Sequence, residues 1–514
     1  MRHLIKKQLL LLRTAPGLDA FGLQQMASSF YWGEMLPVLE RLFDELSSEG
    51  ECIRLDRLEI DLGTVTMHEL REKRMSAVLY DLLRRQLQEA VQGGSDDRKV
   101  RVVRESAAEQ TLRHWWYYME HGRLFWGQTP PTDQWYREVL ELFSVDHAAV
   151  SRLRGAIQSD GVVLRRVIAQ HSDVFLETLA GILVAEKQAG LASGVEAILR
   201  MTVLLEEWYA KAATAPGLGG KRLVAGVRQR LRMWERRHRD HLSLPGYRRK
   251  AYIWRLVLRQ AALEPAALRM TRGGAIDVVV RWLLDEDDVL SRFLKKQGGL
   301  AGSERSLLPD APVKKGRRKP GARDGRPGDE IRVEADAVVV SEGEKEKEEG
   351  IYLPHAGLIL LHPFLATFFS RQGMCVSGQF LSEAAREKAI FLLHFLATGS
   401  REAQEYELVL PKLLCGWDDG IPLPRRIEAG KEDYEEAEEL LQMVLARWEK
   451  LQGTSVEGLR ESFLQRPGKL FRRNERMILQ VEGHTIDILL DYLPWGLSIV
   501  KLPWLKELIY VEWR

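Results

Sequence analysis

AGLILLHPFLATFF (356–369) and AIFLLHFLAT (389–398) are the most apolar stretches of the chain. The first runs 14 residues and contains His362 and Pro363. That suits a buried helix and falls short of the roughly 18 to 20 residues a membrane-spanning helix needs. Behind them follow LPKLLCGW (410–417), TSVEGLRESFLQRPGKL (454–470), DYLPW (491–495) and KLPW (501–504). Proline fixes the local backbone and tryptophan brings a large surface to bury. Leu410, Pro411 and Lys412, with the pairs Pro494-Trp495 and Pro503-Trp504, are therefore candidate clamp or contact residues. The same residue types fit a helical domain with ordinary core tryptophans, and composition alone favours that reading.

The spacing predicts helices over 356–371, 380–398 and 430–450, the last with Tyr434, Leu440, Leu441, Val444, Leu445 and Trp448 on its apolar face. A fourth starts at Thr454-Ser455, carries Glu457 in its first turn and stops at Pro467-Gly468. Short strands are expected at 477–481, 497–500 and 508–513, with a buried run at 486–490. Residues 351–514 thus read as a compact helical module with a small sheet.

Taken in order, AGLILLHPFL, LLHFLATG, ELVLPKLLCG, TSVEGLRESFLQRPGKL, IDILLDYLPW and IVKLPW resemble the C-terminal region of tape measure proteins of contractile injection systems. These are phage-tail-like particles that fire a tube through a contracting sheath. The likeness is dense over about 160 residues, returns in IRLDRLEIDLG (53–63), and covers the middle only in length and helical character. It implies a structural assembly protein, not an enzyme. Such a chain lies in the tube lumen, is anchored at the spike or baseplate, and limits how many tube rings stack before capping. The implied partners are inner tube proteins, spike or baseplate proteins and a tube-terminating cap. The implied location is the cytoplasm during assembly and then the injection particle. The alternative is a baseplate-docked adaptor or chaperone for tube or cargo proteins. If wholly helical, residues 90–350 would span about 390 Å at 1.5 Å per residue.

Working outward, residues 1–92 read as an α+β unit. Leu36, Leu39, Leu42, Phe43 and Leu46 recur at helical spacing within 20–47. CIRLDRLEIDLG (52–63) alternates as a half-buried strand with a phase slip at Asp56-Arg57, and a helix follows over 67–91. Residues 93–300 read as helices broken by Pro and Gly. There HWWYYMEHGRLFW (114–126) is either a packed core or a contact surface. Between 221 and 259 thirteen Lys and Arg stand against Glu235 and Asp240, with aromatics between them. A solvated helix face, docking on an acidic wall, and phosphate binding are the three readings; no nucleic-acid motif supports the last. Residues 301–350 carry a basic block, KKGRRK, then an acidic one, and no aromatics, so a charged disordered linker is expected. The fold class is mainly α with small β elements, in several domains.

The 514 residues, 45% hydrophobic with mean hydropathy −0.24, have ample apolar content for real cores. A net charge of +2 gives no global field favouring nucleic acid or an acidic membrane. Cys52, Cys375 and Cys415 are odd in number and far apart, which disfavours a disulfide framework and a thiolate metal site. MRHLIKKQLLLLRT lacks the apolar length and cleavage site of a signal peptide. No phosphate loop, HExxH or GxSxG is present. His355, His362 and His394 form an imaginable metal trio, with ordinary buried histidines the favoured reading. DEDD (285–288) reads as a helix end and Cys415 as a buried thiol. No cofactor is expected.

Overall fold

The computed structural model describes residues 3, 5, 10, 20–46, 51–55, 76–92, 102–125, 127–159, 161–185, 191, 192, 195, 196, 199, 246–263 and 350–513. The expected linker up to residue 349, the strand half 56–63, the basic residues 221–245 and DEDD lie outside them. The described residues are mainly helical, with small sheets. They fall into two compact units, 1–116 with 126–142, and 117–125 with 143–514.

In the first unit, α1 (Ala20–Phe30) passes through a π-helical turn, Tyr31–Met35, into α2 (Leu36–Leu46). Phe30, Met35, Leu39 and Leu42 pack on Leu83 and Leu87 of α3 (Ser76–Gln92). The helical spacing in the sequence places those leucines on one face. β1 (Glu51–Leu55) pairs antiparallel with β2 (Val102–Ser106), Glu51 opposite Ser106. The chain then enters α4 (Ala107–His121) through a reciprocal cap: Glu109 N–H donates to Ser106 Oγ, and the Glu109 carboxylate accepts from Ser106 N–H. α5 (Asp133–Val145) follows. In the aromatic run, Trp115 and Trp116 of this unit and Tyr117, Tyr118 and Met119, assigned to the second, are all buried, the core alternative.

In the second unit, α6 (His147–Gln158), α7 (Val162–Gln170) and α8 (Asp173–Val184) pack around α9 (Gly246–Leu263). The Asp146 carboxylate caps α6, and the Ser172 hydroxyl caps α8. In the C-terminal part, a 3-10 turn, Ala356–Leu361, runs into α10 (His362–Arg371). α11 (Glu383–Thr398) is buried at every position from Ala389 to Ala397. A helix apolar on all sides belongs in the middle of a core, and this one is packed by the Ala356–Leu361 turn, by α12 (Val409–Leu414) and by α13 (Lys431–Arg447). Gly399, at φ 72, ends it in the left-handed conformation that glycine takes without steric cost.

A hairpin, β4 (Cys375–Val376) and β5 (Gln379–Phe380), precedes α11. α14 (Val456–Leu459) continues as a π-helical turn, Arg460–Leu464. The sheet comprises β3 (Ile351–Leu353), β6 (Gly468–Arg473), β7 (Arg476–Val481), β8 (Ile499–Val500) and β9 (Ile509–Trp513), in the order β3-β6-β7-β9-β8. Only β7 and β9 run parallel.

The helices expected in the module are present, but 356–361 is 3-10 and 454–466 yields one α turn before the π turn. The run 486–490 lies in a 3-10 turn, Thr485–Tyr492. Pro467-Gly468, expected as a stop, also opens β6. Gly468 is there because Ala356 Cβ and the Gln480 carbonyl stand 2.4 and 2.5 Å from where its own Cβ would be. A partner 112 residues away decides that position, and no local pattern reports it.

Candidate functional site

Leu410, Pro411 and Lys412 are all buried on α12. Pro411 sits in the first turn, where backbone N–H groups have no partner inside the helix. Gly416, at φ 63, turns the chain so that Trp417 N–H reaches the Lys412 carbonyl at 2.9 Å. Lys412 is thereby held with its ammonium inside the protein. Its Nζ donates to Glu405 Oε1 at 2.5 Å and to the Ile421 carbonyl at 3.1 Å.

Glu405 is 1% exposed, and its other oxygen accepts from Arg166 Nε at 2.8 Å. Arg166, on α7, is completely buried. Its remaining N–H groups donate to the carbonyls of Met119 at 2.6 Å, Glu120 at 2.9 Å and Asp419 at 3.4 Å. Gln170, one helical turn on, accepts from Tyr118 Oη at 2.7 Å and from Glu405 N–H at 2.9 Å, and donates to the Leu423 carbonyl at 2.8 Å. Gly122 lies against the pair: a Cβ there would stand 2.9 Å from Glu405 Oε1 and 3.0 Å from Arg166 Nε. Burial pushes the Asp419 carboxyl up, against the pull of Lys412 and Arg123.

The arrangement is a polar seam joining α7 and the end of α4 to the C-terminal module. Two cations share one carboxylate, and backbone carbonyls take the spare N–H groups. A buried group of this kind adds little net stability over an apolar seam, but removing its anion is costly.

A second polar contact lies on α11. Tyr247 Oη and Arg248 Nη2 of α9 both donate to Glu387 Oε2, at 2.9 and 2.5 Å, and Glu387 is 3% exposed. Burial pushes the Tyr247 phenol up, and the carboxylate adds to it. Lys250 bridges Asp173 and Glu196, both at 2.5 Å, and Trp254 Nε1 donates to Asp173. In the described part of the basic stretch, these cations are matched by acids of the same chain.

Trp495 and Trp504 are half-buried, while Pro494 and Pro503 are exposed. Trp495 Nε1 donates to the Leu360 carbonyl at 3.1 Å. Pro363 has no N–H to return to that carbonyl three residues back, so the indole supplies the donor. The ring meets Phe364 edge-on at 5.0 Å. Trp504 Nε1 donates at 2.7 Å to the carbonyl of Leu414, at the end of α12, and its ring packs on Phe369 and Phe380. Pro503 rests on Gly378, where a Cβ would come within 2.7 Å of it.

The imagined metal trio is not assembled. The rings of His355 and His394 are 6.0 Å apart, while His362 turns to the Ile359 carbonyl. Among the described residues no three His, Cys, Asp or Glu side chains are grouped to hold a metal ion, and no helix is long and apolar enough to cross a membrane.

Sequence reasoning singled out Lys412 but not Arg166, Gln170, Glu405 or Glu387. A signal existed for the first two. In VVLRRVIAQ, Arg166 and Gln170 fall on one helix face with Val163 and Val167, where a solvated residue has no place. Glu405 lies in a polar loop and gives no such sign.

No curated protein and no solved structure matches the chain. The profile of the family described as contractile injection system tape measure protein matches residues 2–513, so it takes in the helices of the seam as well as the C-terminal strings. With one match spanning both sides of the Arg166–Glu405 contact, the chain belongs to the family of contractile injection system tape measure proteins.

Proposed function

We propose that this chain sets the length of the inner tube of a contractile injection particle. The family match over 2–513 carries the reading. In it, the chain lies in the lumen of the growing tube and the module 350–513 grips the spike or baseplate. The preceding residues supply reach until a terminating cap closes the tube. Assembly takes place in the cytoplasm, and the chain then resides in the particle.

A ruler needs reach, whereas α6 to α9 are folded onto the module. The free chain is therefore the compact form, and the extended form arises on assembly by parting at the seam. The polar character of the seam supports this. Arg166, Lys412, Gln170 and Glu405 can each be taken up by water on separation, which an apolar seam of equal area cannot offer. The test is deletion within 301–345, outside every described element, with particle length measured by electron microscopy. Tubes should shorten by about 1.5 Å per deleted residue if that segment is helical in the particle. An extended segment gives up to about 3.3 Å per residue. Unchanged length rejects the ruler and leaves the anchoring role standing.

The packing of α6 to α9 on the module also favours a second reading, a baseplate-docked adaptor or chaperone for tube or cargo proteins. There the same deletions leave length fixed and lower particle yield or loading.

A further inference from the structure

Beside the start of α13 a cleft of about 490 Å³ opens, lined by Tyr247, Arg401, Arg426, Ile427, Ala429 and Tyr434. The Arg401 guanidinium lies over the Tyr434 ring, 4.4 Å from its centre. That ring is 6% exposed and is packed on Phe395 at 4.8 Å. A guanidinium stacked on a fixed ring has its plane set in advance and its N–H edges directed sideways, ready for a two-point contact with a carboxylate. Among the described residues no carboxylate pairs with Arg401, and Arg426 approaches only Glu402, at the long distance of 3.9 Å. Arg401 and Arg426 both line the cleft, and both oppose the upward push of burial on the Tyr434 phenol.

The remaining lining decides what fits. Ile427, Ala429 and the two tyrosine rings offer apolar surface, while Glu428 lines the same cleft and Glu402 stands at Arg426. A run of phosphates would be repelled by those two carboxylates and would gain nothing from the apolar wall. A single carboxylate meets less of that repulsion and pairs with the two arginines, while an aliphatic side chain beside it gains from the apolar wall.

We infer that this cleft binds an acidic, partly apolar peptide segment of a partner protein. One carboxylate sits between Arg401 and Arg426, and a neighbouring aliphatic side chain lies against Ile427, Ala429 and Tyr434. The site is independent of whether the chain measures length, because binding is read on the purified chain without particles.

The experiment is fluorescence anisotropy with the full-length chain and three labelled probes: an alternating Glu–Leu hexapeptide, an alternating Lys–Leu hexapeptide, and an oligothymidylate. The Glu–Leu peptide is expected to bind, to weaken with added salt, and to lose at least about tenfold in affinity on Arg401→Ala with Arg426→Ala, the loss of one charge-assisted pair. Arg401 is exposed and the Arg426 side chain is 67% exposed, so the double variant keeps its fold, which circular dichroism checks. Equal affinity in the double variant overturns the inference. So does failure of the Glu–Leu peptide to bind, or tighter binding of either other probe.

Discussion

Arg166 and Glu405 are 239 residues apart in the chain and 2.8 Å apart in the fold, both out of reach of water. Lys412 brings a second cation to the same carboxylate, and Gly122 leaves the space the pair occupies. This contact ties the helices before the expected linker to the module after it. These helices and the module are thus held in one register by buried charges as well as by apolar area.

The first prediction follows from the charge count at this point. Glu405→Gln leaves Arg166 and Lys412 buried without an anion and should cost about 3 to 5 kcal/mol. Lys412→Met leaves a balanced Arg166–Glu405 pair and should cost less, about 1 to 2 kcal/mol. Urea unfolding gives the totals, and hydrogen exchange across 162–170 shows the loosening locally. A Lys412→Met variant less stable than Glu405→Gln would mean that the carboxylate is not the centre of the seam.

A second concerns pH. Burial pulls His355 and His394 down to about 4 and His171 to about 3 from an ordinary value of 6.5. Between pH 6.5 and 4 the unfolded imidazoles take up protons that the folded ones do not. The unfolded state then binds more protons, so stability is complete above pH 6.5 and falls as pH drops toward 4. Each group contributes at most about 1.4 kcal/mol per pH unit. Burial moves Asp419 and Glu407 upward, and these two act in the opposite sense. Urea midpoints at pH 7.5 and 5.0 measure the mean slope, and His394→Gln should flatten it by about 0.6 proton over that interval. An unchanged slope in that variant contradicts the assignment.

Legibility follows the range of the interactions. The two apolar runs gave α10 and α11, because a buried helix needs only its own residues to announce itself. β7 and β9 were readable from alternation, yet their parallel pairing was not, since 27 residues of chain separate them. Of the seam, Lys412 was visible as a charge amid leucines, and Arg166 and Gln170 as polar residues on an apolar helix face. Glu405 became meaningful only when the fold carried Arg166 to it. Trp495 and Trp504 were picked out by type, whereas their acceptors, Leu360 and Leu414, depend on tertiary structure.

Two glycines should respond in opposite directions. A Cβ on Gly357 would fall 1.7 Å from the Phe463 carbonyl oxygen, a backbone atom that cannot step aside. Gly357→Ala should therefore cost about 4 kcal/mol or more, in the range reserved for core disruption. Gly155 lies within α6 with nothing within 4 Å of its would-be Cβ. Gly155→Ala should stabilise by about 0.5 to 1 kcal/mol, because alanine loses less backbone freedom on folding. Thermal unfolding of the two variants side by side decides the matter. A tolerated Gly357→Ala would require the 356–361 turn to pack elsewhere.

Trp495 and Trp504 test whether the Pro-Trp pairs hold the module together or face a partner. Each indole is half-buried and supplies the donor to a carbonyl at a helix terminus. Alanine at either position removes that donor, at about 1 to 3 kcal/mol for the stranded acceptor, together with the ring contacts. The total should be about 3 kcal/mol, the low end for a core tryptophan, because part of each ring already meets water. Phenylalanine keeps most of the ring and loses the N–H, so Trp504→Phe should cost about 1 to 2 kcal/mol. Urea midpoints of purified variants separate clamp from contact when set beside particle counts from cells carrying the same substitutions. Lowered midpoints with proportionate loss of particles mean clamps. Unchanged midpoints with particles absent mean that the exposed edges of the rings, beside Pro494 and Pro503, are what the particle grips.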